Sequence, residues 1–103
     1  MDKNKKELLR AKGWEVGSTE EFLELSEEEL AYIELKISLS RLTKELRVKR
    51  QLTQQQTADL ISSSQSRVAK IEAGDPSVSV DLQIRSLLVL GASKEELAEA
   101  IMS

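Results

Sequence analysis

The chain has 103 residues, with 15 Lys and Arg against 18 Asp and Glu, 3% aromatics, and neither cysteine nor histidine. That length holds one compact domain whose modest core has to be aliphatic, and without Cys or His there are no disulfides, zinc sites or common nucleophile–base pairs. No apolar run approaches the ~20 residues of a membrane span and no apolar stretch follows the basic start, so the expectation is a cytoplasmic protein with no cofactor and no metal.

Residues 1–12 are polar and Lys-rich, and are expected to be mobile or to order only on binding. Gly13 and Gly17 then flank Trp14 and Val16 in a loop or short extended segment. Trp14 either tucks against the core or stands out as an interface anchor. Ser18-Thr19-Glu20-Glu21 reads as a capping box ahead of Phe22, Leu23 and Leu25, which predicts a short helix.

Ser26-Glu27-Glu28-Glu29 is a second helix start, opening a long helix to about Arg50. Leu35, Leu39, Leu42 and Leu46 form one apolar stripe, expected to face the core of the segment that follows. Leu30, Ile33 and Ile37 form another, which needs a partner of its own: the Phe22–Leu25 helix, a second subunit or another protein. Glu27 to Glu29 are cap residues rather than paired catalytic carboxylates, because adjacent helical side chains diverge and nothing separates their pKa values.

Residues 52–72 read as two short helices joined by a tight turn. Thr53 caps the first, with Gln56 closing a capping box, and Ala58 is small enough for a second helix to cross closely. Ser64 caps the second, whose Val68 and Ile71 point inward while Gln65, Ser66, Arg67 and Lys70 point outward. This is a helix-turn-helix, the arrangement that enters a DNA major groove. Gly74-Asp75-Pro76 stops the second helix. Ser79 caps a helix from Val80 to about Leu90, with Gly91 at its end, and Ser93 caps a last one carrying Leu97 and Ile101. No segment reads as a strand.

Charge is divided along the chain. Residues 1–14 are net positive, residues 15–34 hold eight Glu and no Lys or Arg, residues 35–74 are net positive again, and residues 75–103 are net negative. The second positive block coincides with the helix-turn-helix, where phosphates would lie. The acidic block suits a basic partner, although acidic side chains also enrich helix starts and solvated faces.

Thr53-Gln54, Ala58, Ser64-Gln65 and Ile71-Glu72 with Gly74 resemble the fixed positions of the Cro/C1 (XRE) repressors over roughly residues 38–92. Ser62 departs from that pattern where a turn Gly is usual, and Ser63 where a buried Val or Ile is usual. The resemblance implies an all-α, lambda-repressor-like five-helix domain, here residues 27–103, with residues 1–26 as an N-terminal helical extension. It implies that Gln54 and Ser64 meet phosphates and that Gln65 and Ser66 read bases, Gln being suited to adenine. Lys70 then reaches a guanine or a phosphate, and Arg67 a phosphate. Arg47 and Glu72 form a structural ion pair. Lys44, Lys49 and Arg50 are further candidates for non-specific phosphate contacts at the helix end.

The leader Gly13-Trp14-Glu15-Val16-Gly17, the segment Glu21–Ser26 and Tyr32-Ile33-Glu34-Leu35 are similar to HigA-type antitoxins. That narrower resemblance implies a non-enzymatic, autoregulating repressor that binds an inverted-repeat operator as a homodimer and neutralises a small basic ribonuclease toxin. Trp14, Phe22 and Leu25 are then candidate toxin contacts. The alternative is a stand-alone regulator without a toxin, whose first segments extend the core or build a dimer.

Overall fold

The computed structural model describes residues 25–103. Over those residues it is all helical, with five helices: α1 (Glu27–Lys49), α2 (Gln54–Leu60), α3 (Gln65–Ala73), α4 (Val80–Val89) and α5 (Lys94–Met102). The expected helix around Phe22 lies outside the described residues, as do Trp14 and Phe22 themselves.

Every helix begins on a hydroxyl cap, as the sequence predicts. Ser26, Thr53, Ser64, Ser79 and Ser93 each accept a hydrogen bond from the backbone N–H three residues on. Each bond satisfies a donor that the first helical turn would leave unpaired. In α2 and α5 the capping box is complete, because Gln56 and Glu96 accept the cap residue's own N–H in return.

The helix ends share a second device. After α1, α2, α3 and α4 one residue turns left-handed, namely Gln51 (φ 59°), Ser62 (φ 55°), Gly74 (φ 74°) and Gly91 (φ 87°). The next N–H then reaches back to a carbonyl in the last turn, as from Ser63 to Ala58 at 2.8 Å and from Leu52 to Arg47 at 3.0 Å. Glycine does this without strain at two of the four positions. At the other two, a side chain is held in a conformation that costs about 1 kcal/mol or more.

The main apolar core lies where α1 crosses the last two helices. Leu39 and Leu46 pack with Leu87, Leu90 and Ala92, and Leu35, Leu42, Leu52, Val80, Ile84 and Leu97 close around them. The long leucine stripe of α1 therefore serves α4 and α5 rather than the helix-turn-helix alone. The reason is spatial: α2 and α3 are short and offer few large apolar side chains, whereas α4 is leucine-rich. Ala58, Val68 and Ile71 are buried as the apolar face of the helix-turn-helix.

Leu30, Ile33 and Ile37 form a separate buried cluster at the start of α1, and Leu25, half-buried, packs against it. Polar groups join α1 to α4: the Gln83 amide donates to the Lys36 carbonyl at 2.9 Å and to the Ser40 hydroxyl at 2.8 Å.

Candidate nucleic-acid interface

The helix-turn-helix is held in place by one guanidinium that donates three hydrogen bonds. Arg47 of α1 donates from Nε to Glu72 Oε2 at 2.6 Å and from Nη2 to Glu72 Oε1 at 3.0 Å. Its Nη1 donates to the Leu52 carbonyl at 2.9 Å. A single side chain thus ties α1 to the last turn of α3 and to the entrance of α2. The pair is largely out of water, with side-chain exposures of 16% for Arg47 and 5% for Glu72. Two-pronged pairing of this kind fixes orientation as well as distance. Arg47, in the middle of the basic block, is thereby committed to joining the helices.

The outward residues of α3 follow from where Val68 and Ile71 are buried. With those two inside, Gln65, Ser66, Arg67 and Lys70 are exposed, and Ser64 sits exposed at the N-cap. Gln54, at the first turn of α2, is half-buried between the two helices. Its Oε1 accepts from Gln65 Nε2 at 2.6 Å, and its own Nε2 makes a long contact of 3.5 Å to Glu72 Oε1. Arg47, Glu72, Gln54 and Gln65 therefore form one chain of polar contacts from the domain interior to its surface.

Beside α3 lies a groove of about 420 Å³ lined by Ser64, Ser66, Arg67, Lys70, Ser77, Val78, Ser79 and Leu82. One wall is the exposed face of α3, and the other is the loop running into α4. That second wall escaped the sequence reading, which took Ser79 as a helix cap only. The clustering of Ser77 and Ser79 just after the Gly74-Asp75-Pro76 stop was the available sign. The groove combines two cations with four hydroxyls, a lining suited to an oxyanion such as a phosphate.

Two of the suggested phosphate contacts lie elsewhere. The guanidinium of Arg50 rests against Gly91, in the turn between α4 and α5. Lys49 and Arg50 both act on the Glu96 carboxylate, lowering its pKa behind the larger effect of its hydrogen bonds with Ser93. Arg50 is thus engaged with the C-terminal helices, since the left-handed Gln51 turns the chain sharply at this point. Leu25 belongs to the separate cluster at the start of α1 and takes no part in this face.

Among the described residues no cluster of Asp and Glu is placed to hold a metal ion, and no helix is long and apolar enough to cross a membrane. Residues 38–100 match a family model described as a helix-turn-helix domain. No curated protein and no solved structure shows significant similarity to the chain.

Proposed function

The chain belongs to the helix-turn-helix domain family, a DNA-binding fold, and from that premise we propose that it is a sequence-specific transcriptional repressor. The observation that carries this reading is the outward face of α3, where Gln65, Ser66, Arg67 and Lys70 stand exposed beside the groove of the α4 loop. Gln65 and Ser66 read base edges in the major groove, Gln65 suiting an adenine. Arg67, Ser64 and Gln54 contact phosphates, and the hydroxyl-lined groove takes one backbone phosphate. Lys70 reaches a guanine or a phosphate. One recognition helix spans too few base pairs for useful specificity, so the operator is an inverted repeat bound by a homodimer.

The finer proposal is that this repressor is the autoregulating antitoxin of a toxin–antitoxin pair. Its support is the resemblance of residues 13–35 to HigA-type antitoxins and the separation of charge. Eight Glu fall within residues 15–34, directly before the basic helix-turn-helix. An acidic segment suits a small basic protein such as a ribonuclease toxin, with Trp14, Phe22 and Leu25 as contacts. A stand-alone regulator is the competing reading.

Selection of duplexes from random sequence, followed by anisotropy titration, tests DNA binding: enrichment of an inverted repeat supports it, and no enrichment removes it. Co-expression with the reading frame next to its own tests the antitoxin role. Rescue of a growth defect together with a stable complex supports it, and absence of both leaves the stand-alone regulator.

A further inference from the structure

Lys36 is an unusual residue for its place. It lies on α1 two positions before the family match begins, and only 4% of its surface is exposed. A buried ammonium is expensive unless its donors are used. Here Nζ donates to the Pro76 carbonyl at 3.0 Å and sits 5.7 Å from the centre of the Tyr32 ring. Burial lowers the Lys36 pKa, with Asp75 opposing that effect.

The carbonyl that Lys36 grips belongs to the loop between α3 and α4. This loop is secured from two further directions. Asp75 Oδ1 accepts the Ser77 N–H at 2.8 Å on the exposed side, and Val78 is buried on the other. Lys36 is itself held from behind, since its carbonyl accepts the Gln83 amide of α4. The same loop, through Ser77, Val78 and Ser79, is the second wall of the groove that faces Arg67 and Lys70.

We propose that Lys36 is a positioning residue for DNA binding: from the part of α1 that precedes the family match, it fixes the α3–α4 loop at the spacing that lets Ser77 and Ser79 share a backbone phosphate with Arg67. The proposal rests on the DNA-binding reading. It predicts that loss of the Lys36 bond removes one phosphate contact per half-site while base selection by Gln65 persists. A purely structural role would instead weaken every contact together.

The test uses the full chain and the duplex that the wild-type protein selects from random sequence. If the wild type selects nothing, the DNA-binding reading fails, and this proposal with it. Otherwise Lys36→Met, which keeps most of the side-chain volume, is compared with wild type by helical circular dichroism, phosphate-ethylation interference and the salt dependence of affinity. The expected result is a folded variant with the same base preference. It loses interference at one phosphate per half-site, while its slope of log affinity against log salt stays close to that of wild type, because Arg67 still neutralises that phosphate. An unchanged footprint, whether affinity is intact or uniformly lower, overturns the proposal. If Lys36→Met does not fold, Ser77→Ala decides, because it leaves the Lys36 bond alone and removes a hydroxyl that the placed loop is to supply. Loss of the same phosphate then supports the proposal, and a wild-type footprint overturns it.

Discussion

Gln65 Nε2 and Gln54 Oε1 lie 2.6 Å apart, so a side chain assigned to a base edge and one assigned to a phosphate form a single hydrogen-bonded unit across the two helices. Gln54 is held in turn by its long contact to Glu72 Oε1 at 3.5 Å. Gln65→Ala is expected to relax preference at one base pair of each half-site, a discrimination of about 1–3 kcal/mol. Gln54→Ala is expected to lose part of the same discrimination although it removes no base contact. Selection from random duplexes measures both, and an unaltered preference in Gln54→Ala would mean that the bond does not orient Gln65.

Arg67 and Lys70 are the two cations that line the groove. Arg67→Ala should weaken binding to all duplexes alike and flatten the salt dependence by about 0.9 in slope for each half-site. If Lys70 reaches a guanine, Lys70→Ala alters the selected sequence. If it meets a phosphate, that variant behaves as Arg67→Ala does.

Breaking the Arg47–Glu72 pair from one side strands the other charge in a largely dry site. Glu72→Ala is expected to cost about 3–5 kcal/mol, toward the lower end because Arg47 retains 16% exposure. Replacing both partners with Met should recover part of that loss. Urea denaturation resolves the three variants, and a Glu72→Ala chain as stable as wild type would show that water compensates Arg47 fully.

Ser62 holds φ 55° in the turn between α2 and α3. Ser62→Gly is expected to stabilise the domain by about 1 kcal/mol, a rise of roughly 4–8 °C in melting temperature for a domain of this size. The added freedom of glycine in the unfolded chain trims the gain. A lower melting temperature would place the strain elsewhere.

Acid should loosen the last helix. The Glu96 carboxyl is held below its ordinary 4.5, first by the Ser93 backbone N–H, then by the Ser93 side chain, with Lys49 and Arg50 adding a smaller effect. Folded, it therefore binds its proton less readily than unfolded. Its contribution is complete above pH 4.5 and is lost as pH falls through the folded value below that. Glu96→Gln keeps a cap acceptor and removes the titration, so its melting temperature should fall less between pH 5 and pH 3. Asp75 titrates in the same direction through its hydrogen bonds to Ser77, so Glu96→Gln should retain some acid sensitivity.

The helix starts, the helix-turn-helix and the all-α class were legible in the amino-acid order because they are local. A hydroxyl three residues before a backbone N–H caps a helix in nearly any context, and the 3.6-residue period identifies the inward Val68 and Ile71 before any partner is known. The glycine stops at Gly74 and Gly91 were readable for the same reason. The left-handed Gln51 was not, since glutamine carries no preference for that conformation and only the closing bond from Leu52 to Arg47 imposes it. Tertiary packing alone decided that the leucine stripe of α1 serves α4 and α5, and that Arg50 turns to Gly91. It also decided that Lys36, an ordinary lysine in the sequence, is buried against a carbonyl 40 positions away. Those facts depend on which surfaces meet, and a side chain's charge or period does not encode the carbonyl that will stand opposite it once the chain has closed on itself.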